Sequence, residues 1–103
     1  MVELKVYDIG DTVTLEGAFE AWDNPSQSMQ PANPTDVTVR IKLPDGTTVV
    51  KDFPADVINV VLGLFRTTFV VTLNGVHTYR FEGVGAVPTA GERSFKVRKS
   101  LVL

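Results

Sequence analysis

The sequence contains no cysteine, a single histidine and a single tryptophan, and no apolar run long enough to cross a bilayer as a helix. Without disulfides, apolar burial alone must hold the fold, and cysteine usage leaves the redox compartment open. One imidazole with no thiols cannot assemble a zinc site. Charge of one sign is also lacking: ten Lys and Arg face twelve Asp and Glu, a net charge of -2. Nothing therefore steers the chain as a whole toward nucleic acid or an anionic membrane. The least charged stretch, Val57 to Tyr79, carries only Arg66, but Thr67, Thr68, Thr72, Asn74, Gly75 and His77 interrupt it. A membrane span is not expected there. Met1 to Val6 alternates polar and apolar residues without a basic segment followed by an apolar run, so no secretory signal is expected. With 103 residues, 44% of them hydrophobic, the chain suits one domain spanning 1–103.

What the chain has, from end to end, is period-two alternation in short runs bounded by Gly, Pro, Asn and Asp. Leu4 and Val6 alternate with Glu3 and Lys5 up to the turn residues Asp8-Ile9-Gly10-Asp11. Val13, Leu15, Gly17, Phe19 and Ala21 then define one face, opposed by Thr12, Thr14, Glu16, Ala18 and Glu20. Gly17 in mid-strand suggests a bulge or a close backbone approach. Asp23 to Thr35, with Pro25, Pro31, Pro34 and two asparagines, reads as a long loop. Val37, Val39, Ile41 and Leu43 resume the alternation before the turn Pro44-Asp45-Gly46-Thr47. Thr47 to about Ile58 reads as one bent strand. Phe65 to Leu73 follows, then the hairpin dipeptide Asn74-Gly75, then His77, Tyr79 and Phe81 in phase. Gly83 to Gly91 reads as a small-residue loop, and Phe95 and Val97 belong to the last strand. About seven antiparallel strands with no helical period predict an all-β, immunoglobulin-like β-sandwich, with a small barrel as the alternative.

No residue pattern points to catalysis, a cofactor or a metal. His77 alternates in phase with Tyr79 and Phe81, which predicts a core ring. The aspartates sit in or beside turns, where they bond to their own backbone, and their spacing does not match a calcium loop. A phosphate-binding loop and a nucleophile elbow are both missing. The basic group Arg93, Lys96, Arg98 and Lys99 reads as a solvated strand. A non-enzymatic binding module is the expectation. Strand counting places the turns at Ile9-Gly10, Asp45-Gly46 and Asn74-Gly75 at one end of the sandwich. The opposite end then collects Trp22, Met29, Val60, Val61, Leu62 and Val87 as one partner-contact patch. Plugging of the core by Val60 and Leu62 is the alternative, and a strand running back over Asp56 to Val61 would dissolve the patch.

Five segments in order also resemble a known group of proteins. They are Tyr7-Asp8-Ile9-Gly10-Asp11-Thr12-Val13; Asn33-Pro34-Thr35 before a Val-Thr-Val strand; Leu43-Pro44-Asp45-Gly46-Thr47; Tyr79-Arg80-Phe81-Glu82-Gly83; and Gly91-Glu92-Arg93-Ser94-Phe95-Lys96-Val97. Together they resemble the small immunoglobulin-like structural proteins of tailed bacteriophages and prophages. The resemblance implies a virion component made in the bacterial cytoplasm: a head decoration protein bound to the major capsid protein, or a neck, head-tail or tail component in contact with other virion proteins. It implies no catalytic or cofactor residue. The chain departs from the pattern at His77, in the length of Asp23 to Thr35 and in the apolar Asn59 to Leu62. A carbohydrate-binding or adhesion module using Trp22 is the alternative from another class, with a surface glycan as ligand. A homo-oligomer on the particle, formed through an exposed edge strand, is a further expectation.

Overall fold

Alternation carries most of the chain into strands that pack as two layers. The structure, a computed structural model, describes residues 5–88 and 91–99. Among them are ten strands: β1 (Lys5–Asp8), β2 (Thr12–Asp23), β3 (Ser28–Pro31), β4 (Asp36–Lys42), β5 (Thr48–Asp52), β6 (Ile58–Val61), β7 (Leu64–Val70), β8 (Gly75–Val84), β9 (Val87–Pro88) and β10 (Arg93–Arg98). One sheet has the order β1-β10-β8-β4-β5, and the other β3-β2-β7-β6 with β9 also on β2. All pairs are antiparallel except β1 with β10. The chain is an all-β sandwich, and its two separate sheets exclude the barrel alternative.

The core forms where the inward faces meet. Val13, Leu15 and Phe19 from β2 and Phe65 from β7 oppose Val39, Ile41, Phe81, Phe95 and Val97, all essentially inaccessible to water. Phe19 meets Phe81 across the layers, ring centroids 6.5 Å apart, and packs edge-on to Phe65 at 5.6 Å. Such pairs contribute roughly 0.5–1.5 kcal/mol each beyond the area they bury. Gly17 is a close approach, not a bulge: its pairing with Phe65 is regular, and a Cβ there would stand 2.6 Å from Phe81 Cδ1.

Four sequence expectations change. Leu4 lies outside the described residues, and Val6 is exposed while Tyr7 packs edge-on to Phe95. The parallel register Lys5↔Phe95, Tyr7↔Val97 places the odd residues on the core side. Asp23 to Thr35 is only partly loop, because β2 continues to Asp23 and β3 returns beside it in the register Trp22↔Met29. The turn between them is tied by its own side chains: Asp23 Oδ2 accepts from the Ser26 amide, and the Gln27 side chain donates to the Asn24 carbonyl. Thr47 to Ile58 is two strands in different sheets, joined by a turn at 53–56. Gly83 to Gly91 contains the end of β8 and all of β9. The short strands β3, β6 and β9 raise the total from about seven to ten.

Candidate functional site

The strand directions sort the connections into two ends. Thr12↔Val70, Lys42↔Thr78 and Val97↔Gly75 bring the turns at 8–11, 43–47 and 71–75 to one end, which we call the turn end. Ala18↔Leu64 and Asp36↔Val84 define the opposite, loop end. β5 and β6 lie in different sheets, yet both run toward the loop end, since each is antiparallel to a strand that leaves it. A separate strand at Ile58–Val61 therefore does not dissolve the expected patch.

Residues directly opposite in a sheet share a face. On β2 the odd residues Val13, Leu15 and Phe19 are buried, so Ala18, Glu20 and Trp22 have outward parity. Met29 lies opposite Trp22, and both Pro31 and Val87 lie opposite Glu20. Val61 lies opposite Leu64, itself opposite Ala18. Trp22, Met29, Val61 and Val87 thus occupy the outer face of one sheet, and Leu62 stands in the adjoining turn; the five are 41–63% exposed. Trp22 projects roughly 13 Å past the level of Ala18, at ~3.3 Å per residue. Its indole Nε1 donates to Asn24 Oδ1 at 2.9 Å, which steadies the ring without covering it.

Val60 does not join this set. It sits at the register shift between Asn59 and Val61 and is half-buried. Leu62, at 63% exposed, does not plug the core. Ile58 belongs to the face and was missed: it lies opposite Arg66, which lies opposite Glu16 and pairs with it at 2.9 Å. Its signal was the strand start, hidden while Thr47 to Ile58 reads as one strand.

Two asparagines hold the turn that carries Leu62. Asn59 Nδ2 donates to the carbonyls of Val61 and Leu64 at 2.8 and 3.0 Å, and Asn33 Oδ1 accepts from the Gly63 amide at 2.7 Å. Gly63 has φ +80 and lies so close to Phe19 O and Ala32 N that a Cβ would meet them at 2.8 and 3.0 Å. The Asn33 half of this clamp was not legible in sequence, because it joins residues 30 positions apart in the chain.

At the turn end polar side chains tie the turns, with Ile9, Val70 and Val76 exposed beside them. Asp11 Oδ2 accepts from the Asp8 amide, Arg98 pairs with Asp8 at 2.8 Å, and Asp45 Oδ1 accepts from both the Thr47 hydroxyl and amide. Those Thr47 bonds hold the Asp45 carboxyl below its ordinary range. His77 is buried as a core ring, stacked on Phe95 with centroids 4.9 Å apart. Its Nε2 has no partner among the described residues, and burial lowers its pKa. Arg40, Glu82, Arg80 and Glu92 form a chain of ion pairs on the other sheet. Among the described residues no cluster of three metal-ligating side chains occurs, and no helix is long and apolar enough to cross a membrane. Set against protein-family models and curated proteins, the chain matches none of them.

Proposed function

We propose that the chain is a non-enzymatic structural accessory protein of a tailed-phage virion, docking on the assembled head lattice through its loop end. The observation that carries this reading is the gathering of Trp22, Met29, Val61 and Val87 on one exposed face with Leu62 beside them. Large exposed side chains gathered on a rigid sheet are the usual composition of a protein contact site, and Trp is enriched among the residues that dominate binding energy. The order of the five sequence segments supplies the virion context, and the near-balanced charge agrees with a protein partner instead of nucleic acid.

Co-sedimentation with purified heads of the phage that encodes the chain tests the reading. Wild-type protein is expected to pellet with heads, and the Trp22→Asp, Leu62→Asp double variant is expected to stay in the supernatant with an unchanged circular dichroism spectrum. Equal binding by the folded double variant sinks the proposed surface. Abundance in purified particles separates positions: parity with the major capsid protein means lattice decoration, and a reproducible trace means neck or tail. The exposed indole beside Asn24 also suits a glycan. Binding on a glycan array together with absence from particles would favour that second reading.

A further inference from the structure

The sheet edges are not alike. β3 is four residues long and ends at Pro31; β6 is equally short and carries a register shift; β5 has five residues including Lys51; and β1 has four. Short, irregular, proline- or lysine-bearing edges resist pairing with other chains. β2 differs. Phe19 bonds through both its amide and its carbonyl toward Gly63 and Ala32, and the Asp11 carbonyl accepts from Val71. Odd residues of β2 thus face β7 and β3, so the backbone groups of Thr12, Thr14, Glu16 and Ala18 face the other way. On that side the described pairing is with β9, at Phe19 and Glu20 only. Within the seven regular residues Thr12 to Ala18, these four present amides and carbonyls with no described partner, and the segment holds no proline, lysine or bulge.

A groove of about 700 Å³ runs beside this edge, between β2 and the β1–β10 side of the opposite sheet, with Tyr7, Val13, Leu15 and Phe95 in its lining. Two cations stand at its margin. Arg93 has the inward parity of Phe95 and Val97, and Lys5 lies opposite Phe95, so both belong to the face of their sheet that looks into the seam. Neither has an ion-pair partner among the described residues. The acids nearby are committed elsewhere: Glu16 to Arg66, and Glu92 to Arg80.

We infer that β2 accepts an extended acidic strand from a partner protein, adding it to the sheet edge. Backbone hydrogen bonds from Thr12 to Ala18 supply affinity, and alternate side chains of the incoming strand enter the groove, where Lys5 and Arg93 select carboxylates. This surface is separate from the loop-end patch and stands whether or not that patch binds heads.

The probes are seven-residue synthetic peptides alternating valine with aspartate, or valine with lysine, titrated into the full chain and followed by amide NMR and hydrogen exchange. The aspartate peptide is expected to shift and protect the Thr14, Glu16 and Ala18 amides, and the lysine peptide is expected to bind about tenfold more weakly, as two partly exposed ion pairs allow. Arg93→Glu should invert that preference, and Thr14→Pro, which removes an edge donor without touching the β7 ladder, should abolish binding. Protection of these amides in the free monomer overturns the proposal, because the chain then covers its own edge. Protection that appears only with rising protein concentration also overturns it, in favour of a second copy. Equal binding of both peptides removes the acidic selectivity.

Discussion

Two strand reversals at opposite ends of the sandwich, at Gly46 and at Gly63, are held by different means. At the turn end, short side chains bond to their own backbone: Asp45 to Thr47, and Asp11 to Asp8. Gly10 and Gly46 adopt positive φ there with nothing within 4 Å of a Cβ position. At the loop end the reversal at Gly63 is held by Asn59 from beside the turn and by Asn33 from 30 residues away, and is packed against the Phe19 backbone. Local chemistry ties the turns at 8–11 and 43–47, although Gly75 packs against Pro44 at the same end and Ile9, Val70 and Val76 stay exposed beside them. The bond from distant Asn33 lets the Gly63 turn hold Leu62 out of the core, whereas the hairpin of Trp22 and Met29 is tied within its own turn by Asp23 and Asn24.

The largest test of this contrast replaces one glycine at each end. Gly63→Ala adds a Cβ against backbone atoms and strains a positive φ, a loss of about 3 kcal/mol. Gly46→Ala strains a similar φ in open space, a loss of about 1 kcal/mol. Urea denaturation of both variants checks this, and equal losses would break the contrast. His77→Phe should raise stability by less than about 1 kcal/mol, since removing the unpartnered buried Nε2 is partly offset by losing the Nδ1 contact with the Gly75 carbonyl. Burial lowers the folded-state pKa of His77, so below about 6.5 the unfolded chain takes up the proton first and wild-type stability declines as pH falls. Asp45 is the charged group acting on it, in the opposing direction; Phe69 and Phe95 pack on it as neutral rings. Melting curves from pH 7.5 to 5 should show that decline in wild type and a flatter profile in His77→Phe. Asp45→Ala should have the smallest effect. The Asp45 carboxyl is held below its usual range, so its stabilisation is present above about pH 3.8 and fades as pH falls through the folded value. The variant should unfold more readily at pH 7, with the difference from wild type closing at strongly acid pH.

Legibility in the sequence followed the range of the interactions. The β2 face, the Val37 to Leu43 strand, the Asp45-Gly46 turn and the burial of His77 were readable, because each depends on side-chain parity or on residues two to four apart. The β3 hairpin was not, since its prolines and serines read as loop until the Trp22↔Met29 register pairs them. Of the candidate patch, Trp22, Met29, Val61, Leu62 and Val87 were identified and are exposed at one end. Val60 was misplaced because the register shift at β6 changes which residues face out, and Ile58 was missed because Thr47 to Ile58 reads as one strand.

That the chain is a β-protein, and which faces of its long strands are buried, follows from the order of its residues, because a period of two is a local property of an extended backbone. That β5 and β6 part into different sheets while running the same way, that Asn33 and Asn59 meet, and that β2 keeps an edge without a described partner emerge only once the sheets are assembled. Those outcomes depend on which strands pair, and pairing is settled by packing between residues distant along the chain.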